Sequence, residues 1–211
     1  MLYAGFITHG NREAKQMKII IVTGKSGSGK STLCTIMANE IKAAKHIDVD
    51  YLIKEQSFFK CNKKKVWQKF SKETYLAGDL VAYEVKRAAA FIRSIFEPTS
   101  ILLEQKIDQS RQDGCTCLII NWAFIQNLPM VDKANLRVFV SCDEQKRREY
   151  LQKRLDENTK MSGDEGLAVN LRDLIYMEVN NIPAFNDHTI FNDYHPGTLL
   201  KEAKKIAKEI M

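Results

Sequence analysis

The sequence predicts an α/β fold, a three-layer sandwich in which helices cover both faces of a mostly parallel sheet. Two observations support this prediction. Short apolar runs without polar alternation are typical of strands that are buried on both faces of a parallel sheet. Longer segments with helical periodicity lie between these runs, and this alternation of strand and helix favours right-handed crossover connections.

The strands follow one another as short apolar runs. They are "MKIIIVT", "AKHIDVDYL", "CTCLIINW", "NLRVFVS" and "HTIFN". The helical patterns cover 31–44, 80–96, 100–112, 143–155 and 168–179, and the C-terminal "PGTLLKEAKKIAKEIM" adds a last one. We expect one domain over 17–211, because Met17 directly precedes the first strand. Residues 1–16 are set aside as an extension of doubtful structure.

Composition limits the class of protein without selecting its partner. The formal charge of +6 favours anions, whether nucleic acid, an acidic membrane or a phosphorylated metabolite. The cysteines are odd in number and irregularly spaced, which is typical of a reducing cytoplasm. Cys115 and Cys117 lack a second pair at zinc-ligand spacing. No apolar run reaches the ~20 residues of a membrane span and no signal-peptide pattern is present, so we expect a cytoplasmic protein without a membrane partner.

The stretch "GKSGSGKST" follows the first strand and precedes a helix. It matches the pattern GxxxxGK[ST], in which glycines let successive backbone N–H groups turn toward phosphate oxygens. Lysine then offsets phosphate charge, and the serine hydroxyl ligates Mg²⁺. The alternative is a turn that only caps the helix. The residues predicted to bind ATP here are Gly24, Lys25, Ser26, Gly27, Ser28, Gly29, Lys30, Ser31 and Thr32, with Ser31 as the metal ligand and Lys30 also catalytic.

Two carboxylates follow the second predicted strand, at Asp48 and Asp50. Alternation in an extended segment directs both to the same side, and ligands gather at this end of the strands in open α/β sheets. One can accept a proton from an attacking hydroxyl, and the other can hold a magnesium-bound water. A pair of solvated loop aspartates is the alternative.

The order "IIIVTGKSGSGKST", then "IDVDYLIKE", resembles the dephospho-CoA kinase family, and the resemblance extends through most of 18–210 at low identity. It implies a fold of the P-loop nucleoside triphosphate hydrolase type, with a helical acceptor region and a short lid over about 147–166. It further implies transfer of phosphate from ATP to the ribose 3′-hydroxyl of dephospho-CoA, with Asp50 as the base and Asp48 as its magnesium-side partner.

The same resemblance extends to the lid and to a late strand. "DEQKRREYLQKR" is similar to the family's lid-entry helix, which makes Arg148 and Arg154 the candidate catalytic arginines, with Arg147 next. A planar cation suits a lid because it can stabilise charge on the transferring phosphoryl group; a solvated helix face is the alternative. "HTIFNDYHPGTL" resembles the strand that ends in asparagine, which implies that Asn192 lies near the adenine.

Departures from the family pattern fall mainly on the acceptor side. Leu80 stands where the family has an arginine, and Glu97 where it has a histidine before proline. Trp122, Ala123, Phe124 and Gln126 replace a Pro-Leu-Leu and acidic segment. Trp122 and Phe124 either enclose an adenine-bearing acceptor or pack in the core. A basic stretch consists of Lys60, Lys63, Lys64 and Lys65. It either attracts the acceptor's phosphates or is a solvated loop.

Two other functions remain open at this level. One is a different small-molecule kinase of the nucleoside or nucleotide type. The other is a nucleotide-binding regulator or RNA-associated protein without transfer activity. Base-stacking modules and arginine-rich tails are missing from the sequence, so we expect no nucleic-acid partner. The sequence does not set the oligomeric state.

Overall fold

The computed structural model describes residues 16–56, 78–157, 169–180, 186–195 and 197–211. Its centre is a five-stranded sheet with the order β2-β3-β1-β4-β5, and all four strand pairings are parallel. The strands are β1 (Lys18–Thr23), β2 (Ala44–Asp48), β3 (Cys117–Asn121), β4 (Leu136–Cys142) and β5 (His188–Asn192). Nearly all of the predicted extension, 1–15, lies outside the described residues.

The helices of the described residues alternate with the strands. They are α1 (Lys30–Glu40), α2 (Val49–Lys54), α3 (Gly78–Ser94), α4 (Phe96–Gln112), α5 (Glu144–Glu157), α6 (Val169–Val179) and α7 (Thr198–Ile210), with 3-10 turns at Ile125–Asn127 and Pro129–Lys133. Within the described ranges, no helix is both long and apolar enough to cross a bilayer.

Strand β1 shows why the sheet is covered on both faces. Its side chains alternate, so Ile19 and Ile21 pack with one core cluster while Ile20 and Val22 pack with the other. The first cluster includes residues of α2 and α4, and the second includes residues of α1 and α7. Two helical layers therefore sandwich the sheet, which confirms the predicted three-layer α/β fold.

Helices α3 and α6 form a smaller unit beside the sheet. Their shared apolar cluster is connected to the main core by Phe96 and Phe124. The cluster consists of Val85, Ala88, Ala89, Ile92, Leu171, Ile175 and Val179. Helix α4 begins at Phe96, four residues before its predicted start, and Pro98 is accommodated because first-turn N–H groups have no intrahelical partner.

The second strand is shorter than its apolar pattern predicted. Strand β2 ends at Asp48, whose side chain accepts a hydrogen bond from the Asp50 amide at 3.0 Å and caps α2. Asp50 thus lies in the first helical turn, and the expectation that strand alternation directs both carboxylates to one side is wrong. A short side chain with an acceptor oxygen competes for backbone N–H groups, which ends the strand here.

Candidate active site

The loop between β1 and α1 is built on glycine conformations that other residues avoid. Gly24 has φ 143° and Gly29 has φ 100°. A Cβ atom on Gly24 would lie 2.4 Å from the Val140 carbonyl oxygen, and one on Gly29 would lie 2.6 Å from Asn192 Nδ2. The loop therefore passes close to the ends of β4 and β5, where only glycine fits.

We expect Gly29→Ala to weaken ATP binding by about tenfold or more, because a strained φ and a steric contact each disturb the loop. A titration with a fluorescent ATP analogue measures this change. Gly114→Ala is the matched control, since Gly114 has φ 71° but its added Cβ meets nothing within 4 Å. Equal ATP affinity in the two variants would contradict the prediction.

Lys30 and Lys25 extend from this loop in different ways. Lys30 is 9% exposed, and its Nζ donates to the Lys25 carbonyl oxygen at 2.8 Å. Burial lowers the pKa of Lys30, while the charges of Asp50 and Asp48 oppose that shift. Lys25 Nζ instead pairs with Glu144 Oε1 of α5 at 2.8 Å. Lys30 is therefore the loop cation that faces the acidic pair.

Asp48 is connected directly to the loop. Its Oδ2 accepts a hydrogen bond from Ser31 Oγ at 3.0 Å. Asn121 Nδ2, at the end of β3, donates to both of these oxygen atoms at 3.3 Å, and His46 Nε2 contacts Asn121 Oδ1. Asn121 is 2% exposed, so this arrangement is held from inside the sheet.

The Ser31 and Asp48 oxygens are suitable ligands for Mg²⁺. A hydroxyl and a carboxylate are hard oxygen donors, and Mg²⁺ usually takes one or two such protein ligands together with phosphate oxygens and waters. Among the residues that the structure describes, no group of three or more His, Cys, Asp or Glu side chains could hold a metal by itself. The residues therefore fit a metal ion that arrives with a nucleotide.

Asp50 has a different partner from Asp48. Its Oδ1 accepts a hydrogen bond from Trp122 Nε1 at 3.0 Å. The residue is exposed, but the protein packed around its carboxyl removes part of the water that would solvate the charge. This desolvation raises the pKa of Asp50, the charge of Asp48 raises it further, and Lys30 and the Trp122 hydrogen bond act in the opposite direction. The two carboxylates are therefore in different environments.

Trp122 belongs to the core and to this site together. It is 1% exposed and makes edge contacts with Phe96 and Phe124, at centroid distances of 5.9 and 5.5 Å. Its ring is thus not available to stack on an acceptor, which corrects the first of the two roles considered for it. Of the other departures, Glu97 is exposed in the first turn of α4, and Gln126 Oε1 is buried without a hydrogen-bond partner among the described residues.

The candidate arginines of α5 occupy contrasting environments. Arg148 is 53% exposed and lies 3.5 Å from Asp173. Arg147 is fully buried, where it pairs with Glu144 and Asp173 and donates to the Ser26 carbonyl oxygen. Arg147 is therefore not a free lid arginine. The side chain of Arg154, residues 158–166 of the predicted lid, the side chain of Leu80 and the predicted basic stretch lie outside the described residues.

A cleft of about 320 Å³ opens beside the loop, between α1 and the end of β5. Tyr150 and Tyr194 line it with ring centroids 6.2 Å apart, and Thr32 and Asn192 also contribute. Asn192 is 4% exposed; its Nδ2 donates to the Ser28 carbonyl oxygen at 2.9 Å, and its Oδ1 accepts from the Tyr194 amide at 3.0 Å. Both ends of this side chain are thus engaged by the protein.

Sequence reasoning overlooked several residues of this site. Asn121 is the last residue of an otherwise apolar strand, so its polar side chain could have indicated a site residue. The hydrogen bond from Trp122 to Asp50 had no local signal, because the two residues are 72 positions apart. Tyr194 was likewise overlooked. Its backbone has φ 63°, which is unusual for a non-glycine residue, but this angle is seen only in the structure.

No family model matches the sequence, and no curated protein matches it. The solved structure of TT1252 from Thermus thermophilus is similar to the chain, with 16% identity, a TM-score of 0.58, and coverage of 93% of this chain and 100% of that one. A dephospho-CoA kinase from Campylobacter jejuni (18% identity, 92% and 97% coverage) and a shikimate kinase from Bacteroides thetaiotaomicron (17%, 92% and 99%) each reach a TM-score of 0.45. The chain thus shares the α/β fold of the TT1252 structure.

Proposed function

We propose that the chain is an ATP-dependent kinase that transfers the γ-phosphoryl group to a hydroxyl of a small molecule. The observation that carries the proposal is that two carboxylates with different hydrogen-bond partners lie beside the loop. Asp48 hydrogen bonds with Ser31 of the loop, whereas Asp50 is held by Trp122. Phosphoryl transfer needs both a metal-binding oxygen and a proton acceptor at this place.

In this proposal the loop 24–32 holds the phosphates of ATP, and Lys30 offsets their charge. Ser31 and Asp48 would hold Mg²⁺, which supplies further positive charge at the β- and γ-phosphates. Arg148 and Arg154 are proposed to approach the transferring group from α5 and exclude water. The exposure of Arg148 supports this role, because an exposed arginine is able to move toward a ligand.

Asp50 is the proposed base. It accepts the proton of the acceptor hydroxyl, whose oxygen forms a bond to the γ-phosphorus. The bond from that phosphorus to the β–γ bridging oxygen breaks, and ADP leaves. A carboxylate with a raised pKa is a better proton acceptor than an ordinary aspartate, provided that it remains ionised at the working pH.

The proposed acceptor is the ribose 3′-hydroxyl of dephospho-CoA, and a nucleoside or nucleotide is the alternative. Support for dephospho-CoA comes from the order of "IIIVTGKSGSGKST" and "IDVDYLIKE" along the chain. The departures at Trp122 and Gln126 lie on the acceptor side and leave the phosphate loop unchanged.

Acceptor-dependent ADP formation tests the proposal. The full chain is incubated with ATP and Mg²⁺ plus dephospho-CoA, or plus each member of a panel of nucleosides and nucleotides, and products are identified by mass. We expect ADP and coenzyme A to form in equal amounts. Turnover of a nucleoside without turnover of dephospho-CoA would show that the acceptor is a nucleoside, and the proposal of kinase activity would stand. Tight ATP binding without turnover of any acceptor would overturn the kinase proposal.

We expect Trp122→Phe to move the acid limb of the kcat/KM profile to higher pH. The substitution keeps an aromatic ring but removes the N–H that stabilises ionised Asp50, so the pKa of Asp50 rises. The base is then protonated, and activity lost, at a less acidic pH than in the wild type. Phe96→Leu is the control, because it also loosens the packing of Trp122 but keeps the N–H. Equal shifts in both variants would contradict the prediction.

A further inference from the structure

Three consecutive carbonyl groups of the phosphate loop are held by side chains from outside the loop. Arg147 Nη1 donates to the Ser26 oxygen at 3.0 Å, Tyr194 Oη to the Gly27 oxygen at 2.8 Å, and Asn192 Nδ2 to the Ser28 oxygen at 2.9 Å. These donors lie 121 to 167 positions away in the chain. They come from α5 and from the end of β5.

These contacts determine the direction of the following amide groups. In a planar trans peptide the C=O and N–H bonds point in opposite directions. The Arg147 donor to the Ser26 oxygen therefore directs the Gly27 N–H away from itself, and the Asn192 donor to the Ser28 oxygen does the same for the Gly29 N–H. The Ser28 N–H, which follows the Gly27 oxygen, donates within the loop to the Lys25 carbonyl oxygen at 3.2 Å. Successive N–H groups with a common direction form the nest that binds anions.

Each donor is itself restrained. Arg147 is fully buried, and its guanidinium also pairs with Glu144 at 2.7 Å and with Asp173 at 2.6 Å. Asn192 is 4% exposed and accepts the Tyr194 amide through its other end. Tyr194 has a left-handed φ of 63°, and its hydroxyl also contacts the Cys142 thiol. Non-glycine residues keep such a backbone only where their surroundings impose it.

We propose that Arg147, Tyr194 and Asn192 form an outer brace, a set of positioning residues that orients the loop amides for a polyphosphate before it binds. This inference rests on the proposed use of the loop for ATP, but not on phosphoryl transfer. It assigns Arg147 and Asn192 to the loop backbone rather than to the lid and the adenine. The brace raises affinity because the loop does not have to be ordered on binding.

The test uses inorganic tripolyphosphate, which contacts the loop but has no base or ribose. Isothermal titration calorimetry compares the full wild-type chain with Tyr194→Phe, a variant that keeps the ring lining the cleft. We expect the variant to bind both tripolyphosphate and ATP about three- to tenfold more weakly, and by the same factor, because one hydrogen bond to the loop is lost. Unchanged tripolyphosphate affinity would overturn the proposal.

A second variant tests the brace at another of its contacts. Arg147→Lys keeps the charge but loses the planar fork, and we expect weaker tripolyphosphate binding. Arg137→Lys is the matched control, since Arg137 makes a bidentate pair with Asp187 at 3.0 and 3.1 Å on β4, away from the loop. Equal loss of affinity in these two variants would overturn the proposal.

The amide resonances of Gly27 and Gly29 in the free protein provide a spectroscopic measure. We expect Tyr194→Phe to shift or broaden them while leaving the resonances of β1 unchanged. Unchanged loop resonances would contradict the brace. Binding of ATP and tripolyphosphate without turnover of any acceptor would remove the kinase proposal and leave the brace intact, so the two failures are distinguishable.

Discussion

We expect Asp50→Asn to reduce kcat by about 10²- to 10⁴-fold, the usual contribution of a general base. The amide has nearly the same shape as the carboxylate, and its oxygen can still accept the Trp122 hydrogen bond. It cannot take up the proton of the acceptor hydroxyl. Steady-state kinetics with saturating ATP and acceptor measure this loss, and we expect the dissociation constant for ATP to remain within about twofold, because ATP contacts the loop.

Two control variants make this result specific. Asp108→Asn removes the same charge from an exposed position of α4, and we expect its kcat to be unchanged. Asp48→Asn weakens the oxygen pair with Ser31, so we expect it to require more Mg²⁺ for half-maximal activity. An Asp50→Asn enzyme with nearly wild-type kcat, combined with complete loss of activity in Asp48→Asn, would exchange the roles of the two carboxylates.

The pH dependence follows from the same assignment. The base must be ionised, so the rate falls as the pH drops through the pKa of Asp50. Desolvation and the Asp48 charge raise that pKa, which places the acid limb at a higher pH than an ordinary aspartate would give. The residual activity of Asp50→Asn lacks the group that titrates, and its profile should lose this limb.

The second large effect is on folding. We expect Arg147→Met to lower the free energy of unfolding by about 3 kcal/mol, toward the lower end of the usual cost of removing one member of a buried ion pair, because the exposed Arg148 still lies 3.5 Å from Asp173. Arg147 is fully buried, and the Asp173 side chain that it pairs with is only 11% exposed. Urea denaturation followed by circular dichroism measures the change, provided that the transition is two-state.

Arg137→Met supplies the comparison for this effect. Arg137 and Asp187 remain 23% and 34% exposed, so solvent screens their attraction, and we expect a loss of about 1 kcal/mol or less. The double variant Arg147→Met/Asp173→Leu removes both charges and should recover part of the stability. Equal losses in the two single methionine variants would show that burial does not set the strength of the Arg147 pair.

Local pattern was sufficient for the sheet and for the loop. Each predicted strand overlaps an observed one, and only β4 extends past its prediction, by one residue to Cys142. The overlap arises because the apolar runs are short and their surroundings in a covered parallel sheet require apolar side chains on both faces. The glycines of "GKSGSGKST" likewise coincide with backbone angles that favour glycine. In both cases the requirement, for apolar side chains or for glycine backbone angles, involves only a few neighbouring residues. A local sequence pattern is therefore enough to predict it.

The acidic pair shows where local pattern was insufficient. Asp48 does contact Ser31 of the loop, but strand alternation does not place the two carboxylates, since the chain becomes helical at Val49. The cap formed by Asp48 competes with strand extension, and apolar periodicity does not report this competition. Arg147 is a similar case, because a basic helix pattern does not show which of two adjacent arginines faces the core.

The sequence by itself determined the α/β class, the succession of strands and helices along the chain and the position of the phosphate loop. All three follow from local periodicity and backbone freedom. Only the tertiary structure decided that Trp122 holds Asp50, that Asn121 connects Ser31 with Asp48, and that Arg147, Tyr194 and Asn192 hold the loop carbonyls. These contacts join residues 72 to 167 positions apart, and they exist because the parallel sheet brings the carboxyl ends of its strands to one edge.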